Sequence, residues 1–534
     1  MFWLRTLLLS VASICTLLFS GTSHVLFTVD STSPGGVISN KVSNVNVWNM
    51  GTQFMNPQRE TENDVFDFVE YVQLMQCSGG TTDRDLLREP ENRDVLDDYD
   101  FARLVENCRG ILSLGAKPML KLGSVPLKYS ASPVFGDFGM NVCPPQDYTV
   151  YYAYIHALAD ALVQAFGREE VASWRFGVMT EFENDQWFYV GERDAQASME
   201  AYCALYDFTV QALIDAIGPD VFVGAHAMAV TEGLWDEAQF IRHVAQGVNY
   251  ATGEVGTRIC YLSASFYDAR PGTFTSGKTL PQTIRDLRST AQRYGLDNLI
   301  YGVDEGRILS ASPGKESADL FSRTVGQTWQ AAYDARLWTQ TIQNDIDYFS
   351  SWGYLSNTLT GYPTVSYHVA NAVHKMAGER KAETKSTTSF LKTLFGIEVD
   401  GAASFDTQTN AAHVLLYNFR NQLTYAKRAD TRIRLRLPQL AGKTVTVREW
   451  RIDDDCNFFD EWQRDRERYS ITDDCFSGRR TIRVWTTRQP CGIRMRERFM
   501  RVSCGINTQP ALCWSRRRAR RKFPQTEHWN CAVL

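Results

Sequence analysis

From about residue 40 to 380 the chain repeats one pattern: a short apolar run, a turn, then a longer segment whose apolar residues recur every three or four positions. Short apolar runs bounded by turn residues read as buried strands, and the three- and four-residue spacing reads as amphipathic helix. The strand candidates follow in order as VSNVNVW, FVEYVQLM, KPMLKLG, WRFGVM, VFVGAHAM, RICYLSASFY, NLIYGV and DYFSSWGY. The clearest helix between them is YYAYIHALADALVQAF, which stops before Gly167, a residue type favoured just past helix ends. Strand and helix alternating in this way build a parallel sheet, and eight units in about 340 residues fit an α/β fold, the (β/α)8 TIM barrel, with loop insertions. A doubly wound open sheet is the rival. Against it, no glycine-rich dinucleotide fingerprint follows the first strand, and no phosphate loop of the Walker type occurs.

After residue 385 the period changes. AAHVLLYNF, TRIRLRLP, KTVTVREW and TIRVWTT alternate apolar and polar residues between turns, the pattern of an all-β sandwich. At the other end, MFWLRTLLLSVASICTLLFSGTS places Arg5 before an apolar run from Leu7 to Phe19 and small residues after it. That order is a secretory signal peptide, and the run is shorter than the ~20 residues a membrane span needs. The expected division is a signal peptide at 1–23, the catalytic barrel at 24–384, the β-sandwich at 385–504 and an irregular basic tail at 505–534. The expected location is secreted, with no membrane span after signal cleavage.

Composition changes this picture little. The 534 residues are 44% apolar and 22% charged, as in folded soluble proteins rather than disordered ones. The formal charge of -5 hides the run RRRARRK at 516–522, and without its six basic residues the chain carries -5 - 6 = -11. An acidic body excludes nucleic acid as the main partner, because a phosphate backbone needs a basic face. The run reads as a solvated tail, with a polyanion-binding or processing segment as the alternative. The terminal CAVL matches a prenylation pattern, but prenylation is cytosolic and the signal peptide directs export, so CAVL reads as coincidence. Twelve cysteines are present, one of them Cys15 in the signal. Export permits disulfides, Cys456 and Cys475 flank one polar excursion and are the expected pair, and the odd remainder leaves a thiol over. No CxxC spacing occurs, which argues against a zinc site.

In a TIM barrel the active site lies at the C-terminal ends of the strands. Glu181 follows the fourth strand candidate and Glu305 the seventh. Carboxylates there can flank a sugar. A close pair supports double displacement, and a wider one leaves room for water and inverts the anomeric carbon. Glu183 shares strand parity with Glu181 and is the rival acid. Asp304 is expected on the opposite face from Glu305, in a salt bridge or a helix cap. Trp352, closing the eighth strand, reads equally as a sugar platform or a core residue. Trp48, Trp187 and His226 also stand at strand ends, where a histidine is more often structural. Asn184, Asp185 and Gln186 fit sugar hydroxyls, although loops are polar for other reasons too.

GAKPMLKLGSVP, residues 115–126, resembles the third-strand motif of glycoside hydrolase family 39, and the passage from YYAYIHALADALVQAF to RFGVMTE is similar to that family's fourth helix-to-strand passage, which ends in Asn-Glu-Pro. The family includes β-xylosidases and α-L-iduronidase. The resemblance implies a retaining barrel hydrolase with Glu181 as acid/base and Glu305 as nucleophile. It places the strand-six pattern Ser-x-His-x-Tyr on Ser263, Ser265 and Tyr267, with serine in the histidine position. Thr180 stands where the family has the asparagine that contacts the sugar hydroxyl beside the reacting carbon, and Phe182 stands for the proline. The expected substrate is an oligosaccharide or glycoside, with Thr180, Asn184, Trp187, His226, Tyr267 and Trp352 as binding residues. No metal or organic cofactor is implied, since two carboxylates and water suffice. The departures at Thr180, Phe182 and Ser265 keep a second expectation open: a carbohydrate-binding barrel that has lost turnover.

Overall fold

The computed structural model describes residues 23–47, 50, 68–228, 233–270, 273–274, 278–308, 328–350, 365–388, 398–419, 429–452, 491–494 and 500–505. After β1 (Ser23–Asp30) come the barrel strands β2 (Asn44–Val47), β3 (Tyr71–Leu74), β4 (Lys117–Leu122), β5 (Arg175–Val178), β6 (Phe222–Ala227), β7 (Tyr261–Arg270), β9 (Ile300–Ile308) and β10 (Tyr348–Phe349), with a short β8 (Thr273–Phe274) folded back on β7. All eight strand candidates form strands. They pair in parallel and in chain order from β2 to β10. The ring is drawn together where the Phe349 N–H donates to the Lys41 carbonyl at 3.1 Å and the Ser350 hydroxyl to Asn46 Oδ1 at 2.6 Å. The chain therefore folds as a TIM barrel.

Helices α1 (Ala102–Ser113), α2 (Tyr148–Phe166), α3 (Arg168–Ala172), α4 (Ala195–Ile217), α5 (Glu237–Gln246), α6 (Leu280–Arg293), α7 (Thr328–Gln343) and α8 (Val365–His374) lie between or after the strands. Their starts are set by local chemistry. Asp147 and Asp194 accept hydrogen bonds from backbone N–H groups in the first turns of α2 and α4, and Thr279 with Gln282 closes a capping box on α6, each satisfying donors that an uncapped helix leaves open. The strand residues facing these helices, among them Val72, Leu120, Phe176, Val178, Val223, Leu262 and Val303, form one continuous apolar core.

The inner face of the barrel is different. Asn44, Asn46, Gln73, Lys121, His226, Ser263, Ser265, Asp304 and Ser350 are all buried there. Lys121 on β4 forms an ion pair with Asp304 on β9, the third and seventh strands of the ring, so both side chains cross the interior. Glycine makes room for them. A Cβ on Gly177 would stand 2.5 Å from the Tyr261 hydroxyl and 2.7 Å from Lys121 Cδ, and one on Gly302 would stand 2.4 Å from the Tyr348 ring.

The second domain draws on both ends of the chain. Strands β11 (Arg380–Ser386), β12 (Glu398–Asp406), β13 (Ala411–Phe419), β14 (Ala429–Arg436) and β17 (Met500–Gly505) join β1 in a six-stranded sheet ordered β13-β12-β11-β1-β14-β17, while β15 (Thr444–Val447) pairs with β16 (Cys491–Arg494). The sequence boundaries place residues 24–30 with the barrel, but β1 runs parallel to β14 and antiparallel to β11 in the middle of this sheet. HVLFTV alternates as a half-buried strand does, and nothing local says which sheet it enters. Alternate residues of β13 face opposite ways: Ala412, Val414 and Leu416 pack with Val445 of β15, whereas Leu415, Tyr417 and Phe419 join the barrel core. On that second side the Arg336 guanidinium of α7 pairs with Glu398 at 2.9 Å. Cys77, Cys108, Cys143, Cys203 and Cys260 are free thiols, and Cys456 and Cys475 lie outside the described residues. Among the described residues no helix is long and apolar enough to cross a membrane.

Because the space beside Gly177 is filled by two fully buried side chains, Gly177→Ala is expected to lower the unfolding free energy by about 1–3 kcal/mol, the usual result of overpacking. Urea titration of the full chain measures it; an unchanged midpoint would mean that Tyr261 and Lys121 yield freely.

Candidate active site

The strand that bears Glu305 is irregular. Ala264 pairs with Val303, but the next pair is Ser265 with Glu305, so Asp304 is an extra residue in a β-bulge. A bulge breaks the two-residue alternation of a strand, and here it turns Asp304 and Glu305 to the same side. This corrects the expectation that they face opposite ways; its salt-bridge alternative holds. The Asp304 carboxylate accepts from Lys121 Nζ and, at 2.5 Å, from the Tyr348 hydroxyl, while its carbonyl accepts from Asn46 Nδ2 at 2.7 Å and Gln73 Nε2 at 3.0 Å. Burial raises the Asp304 carboxyl pKa, but the Lys121 ammonium and the hydrogen bonds outweigh it and hold the group below its usual value. Glu305, 6% exposed, accepts from the Tyr267 hydroxyl at 3.0 Å. Asp304 is thus spent on the scaffold, and Glu305 stands one residue nearer the mouth.

Glu181 is presented by a tight turn three residues beyond β5. Met179 and Glu181 both have left-handed backbones, with φ of 63° and 44°, a conformation uncommon outside glycine and concentrated at functional sites. The turn continues with the Asn184 N–H donating to the Glu181 carbonyl at 2.8 Å and the Trp187 N–H to the Asn184 carbonyl at 2.9 Å. Two side chains then hold the half-buried carboxylate. Asn184 Nδ2 and Trp187 Nε1 donate to Glu181 Oε2 at 2.9 and 3.2 Å. Asn184, expected at a sugar hydroxyl, is therefore engaged with the carboxylate, and so is Trp187.

Glu183 is fully buried and its Oε1 accepts from the Met228 N–H, just past β6, at 2.7 Å. Phe182 is equally buried, stacked on Tyr202 at 4.6 Å and packed against Phe240 at 4.8 Å. An aromatic anchor in this cluster explains why phenylalanine occupies that position. Thr180 is 2% exposed, with its hydroxyl 4.0 Å from the Met75 sulfur. Asp185 is paired with Arg193, and Gln186 Oε1 accepts from the Asp137 N–H. His226 Nε2 lies 2.9 Å from the Ser265 hydroxyl, so a histidine on β6 reaches the serine that stands in the expected histidine position on β7. Burial, reinforced by Lys121, depresses the His226 pKa to about 3 and keeps the ring neutral. Trp48 and Trp352 lie outside the described residues. Sequence reasoning missed Lys121, although a lysine inside the otherwise apolar KPMLKLG was its signal. Tyr348, Asn46 and Gln73 gave none.

A barrel with one glutamate just past its fourth strand and another toward the end of its seventh can be set beside known proteins. Residues 83–475 match the glycosyl hydrolases family 39. The chain belongs to family 39. It is 30% identical over 314 residues to a β-xylosidase of Caldicellulosiruptor saccharolyticus, a match covering 56% of this chain and 61% of that relative's length. Among solved structures, the family 39 enzyme of Xanthomonas axonopodis pv. citri superposes with a TM-score of 0.57 at 16% identity, covering 91% of this chain and 96% of that one. A monomeric β-xylosidase of Caulobacter crescentus CB15 gives 0.56 at 15%, covering 90% and 97%. At these identities the superpositions establish the family 39 fold.

Two expectations follow for the barrel interior. Lys121→Met leaves Asp304 buried without its cation and is expected to cost about 3–5 kcal/mol, much of it recovered in Lys121→Met/Asp304→Asn; denaturant unfolding of the three proteins checks the coupling. His226 has a folded pKa near 3 against 6.5 unfolded, so its contribution is complete above pH 6.5 and declines as pH falls toward 3. The slope is at most about 1.4 kcal/mol per pH unit for one group. His226→Gln should remove that part of the pH dependence, and identical slopes in the two proteins would refute it.

Proposed function

We propose that this protein is an exported retaining glycoside hydrolase, β-xylosidase-like in its substrate, with Glu181 as acid/base and Glu305 as nucleophile. One observation carries the reading: the bulge at Asp304 turns Glu305 into the barrel, where it receives the Tyr267 hydroxyl, while a strained turn fixes Glu181 at the end of the fourth barrel strand. Glu305 attacks the anomeric carbon as Glu181 gives its proton to the departing oxygen. The covalent glycosyl-enzyme removes the charge from Glu305, and Glu181 then takes a proton from the water that releases the sugar. Tyr267 donates to the nucleophile's carboxylate and orients it. His226 with Ser265, both buried beside Glu305 on the inner face, and Thr180 beside Glu181 line the space for the reacting sugar. Trp352, at the end of the eighth strand candidate, is proposed as a further ring platform. Export rests on the signal pattern of residues 1–23.

Thr180 favours a second reading. Its short, buried side chain replaces an asparagine expected to strengthen the transition state, so a sugar-binding barrel without turnover is the alternative. A panel of chromogenic glycosides separates the two. Native protein is expected to turn over β-xylosides, and Glu305→Gln to abolish this. Glu181→Gln is expected to lose about 10²–10⁴-fold on substrates with poor leaving groups and far less on activated ones. Sugar binding without turnover on any member would establish the alternative.

A further inference from the structure

The loop between β4 and α2 carries apolar side chains that neither the core nor the proposed chemistry uses. Val134, Phe135 and Phe138 are 42%, 54% and 49% exposed, and no other phenylalanine with a described side chain is as exposed. Exposed apolar groups gathered in one place mark a binding surface more often than scattered ones do. The loop is firmly held. The Val142 N–H donates to the Val134 carbonyl and the Gly136 N–H to the Met140 carbonyl, both at 2.9 Å. Asp137 N–H to Gln186 Oε1 and Tyr189 N–H to the Val142 carbonyl, both at 3.0 Å, fasten it to the turn that presents Glu181.

Phe138 lies flat on Trp187, with centroids 4.5 Å apart and planes 2° apart. That indole is the one whose Nε1 donates to Glu181 Oε2. The ring is therefore one indole removed from the proposed proton donor. In a retaining glycosidase the acid stands at the glycosidic oxygen, between the sugar that reacts and the group that departs. The reacting sugar belongs between Glu181 and Glu305, over the polar interior. Beyond Glu181, toward the rim where Phe138 is exposed, lies the departing group.

We propose that Phe138, backed by Trp187, is the platform for the leaving group, and that it selects substrates whose leaving group is a ring with an apolar face, such as a second sugar. This rests on Glu181 being the acid. A flat aromatic face bordered by hydrogen-bonding groups, here Gln186 and the Asp185–Arg193 pair, is the usual make-up of a small-ligand site. A pyranose presents just such an apolar face.

The test compares two substrates with the same reacting sugar. Methyl β-xyloside releases methanol, an unactivated leaving group without a ring, and β-1,4-xylobiose releases xylose, an unactivated leaving group with one, so both depend on the acid. Phe138→Ala is expected to lower kcat/KM on xylobiose about tenfold, mainly through KM, and to stay within about twofold of native on the methyl xyloside; Phe138→Tyr should match native on both. The methyl xyloside rate also reports that the variant is folded. Equal losses on both substrates would mean that the ring only braces Trp187 against Glu181, and no loss on either would mean that it is unused; each overturns the platform while leaving the glycosidase reading intact. If native protein turns over no glycoside at all, the acid assignment and the platform fall together.

Discussion

The barrel is organised around the ion pair of Lys121 and Asp304. Two charges fully removed from water are tolerated only when each remaining hydrogen-bonding position is met, because an unmatched buried charge costs several kcal/mol. Asp304 meets that condition through Lys121, Tyr348 and its own carbonyl's bonds to Asn46 and Gln73. Those partners come from β4, β10, β2 and β3. A slip of β9 by one residue would break all of them at once, so the pair fixes the register of the seventh strand against four others. Burial and the neighbouring Asp304 charge hold the Tyr348 phenol well above its usual pKa, so it remains a donor. The bulge follows from the same contacts, since it is what allows one residue of β9 to offer both carboxylate and carbonyl to the interior. Glu305 takes its direction from that bulge.

Glu181 and Glu183 show how two like residues acquire different fates two positions apart. Glu181 leaves the strand through left-handed backbone and stays half-buried, with amide and indole donors around one oxygen. Glu183 is sealed beneath the turn, binding the Met228 N–H beyond β6. A Cβ on Gly233 would lie 2.4 Å from Glu183 Cγ, so the exit from β6 closes directly over it. One carboxylate supports the wall and the other faces the space within it.

Much of the architecture was legible because the outer faces of the barrel strands are apolar and the helices between them keep their period. What was not legible depended on the inner face. A bulge adds one residue without altering local hydrophobicity, so the relation between Asp304 and Glu305 could not be read from alternation. Asn184 and Trp187 stand in a polar loop, and only the turn geometry shows that they hold a carboxylate. His226 and Ser265 are 39 residues apart, and their meeting on adjacent strands leaves no trace in either segment. The position of β1 failed for the same reason: pairing partners about 400 residues away are invisible to a local pattern.

The placement of β1 also bears on how the chain is assembled. It is synthesised before every other described element, and its parallel partner β14 follows 406 residues later, as the Arg436–Asp30 contact shows. Its earliest partner, β11, follows 357 residues after it, as the Thr28–Lys385 contact shows, and at typical ribosomal rates that interval is roughly 18–70 s, during which Val25, Phe27 and Val29 have no sheet to enter. Without β1 the six-stranded sheet divides into β13-β12-β11 and β14-β17, so the second domain cannot be excised as a module or completed while the barrel is unfinished. One eight-residue strand thus closes the described chain on itself, and until it docks its apolar face and unpaired edges stay open to other chains.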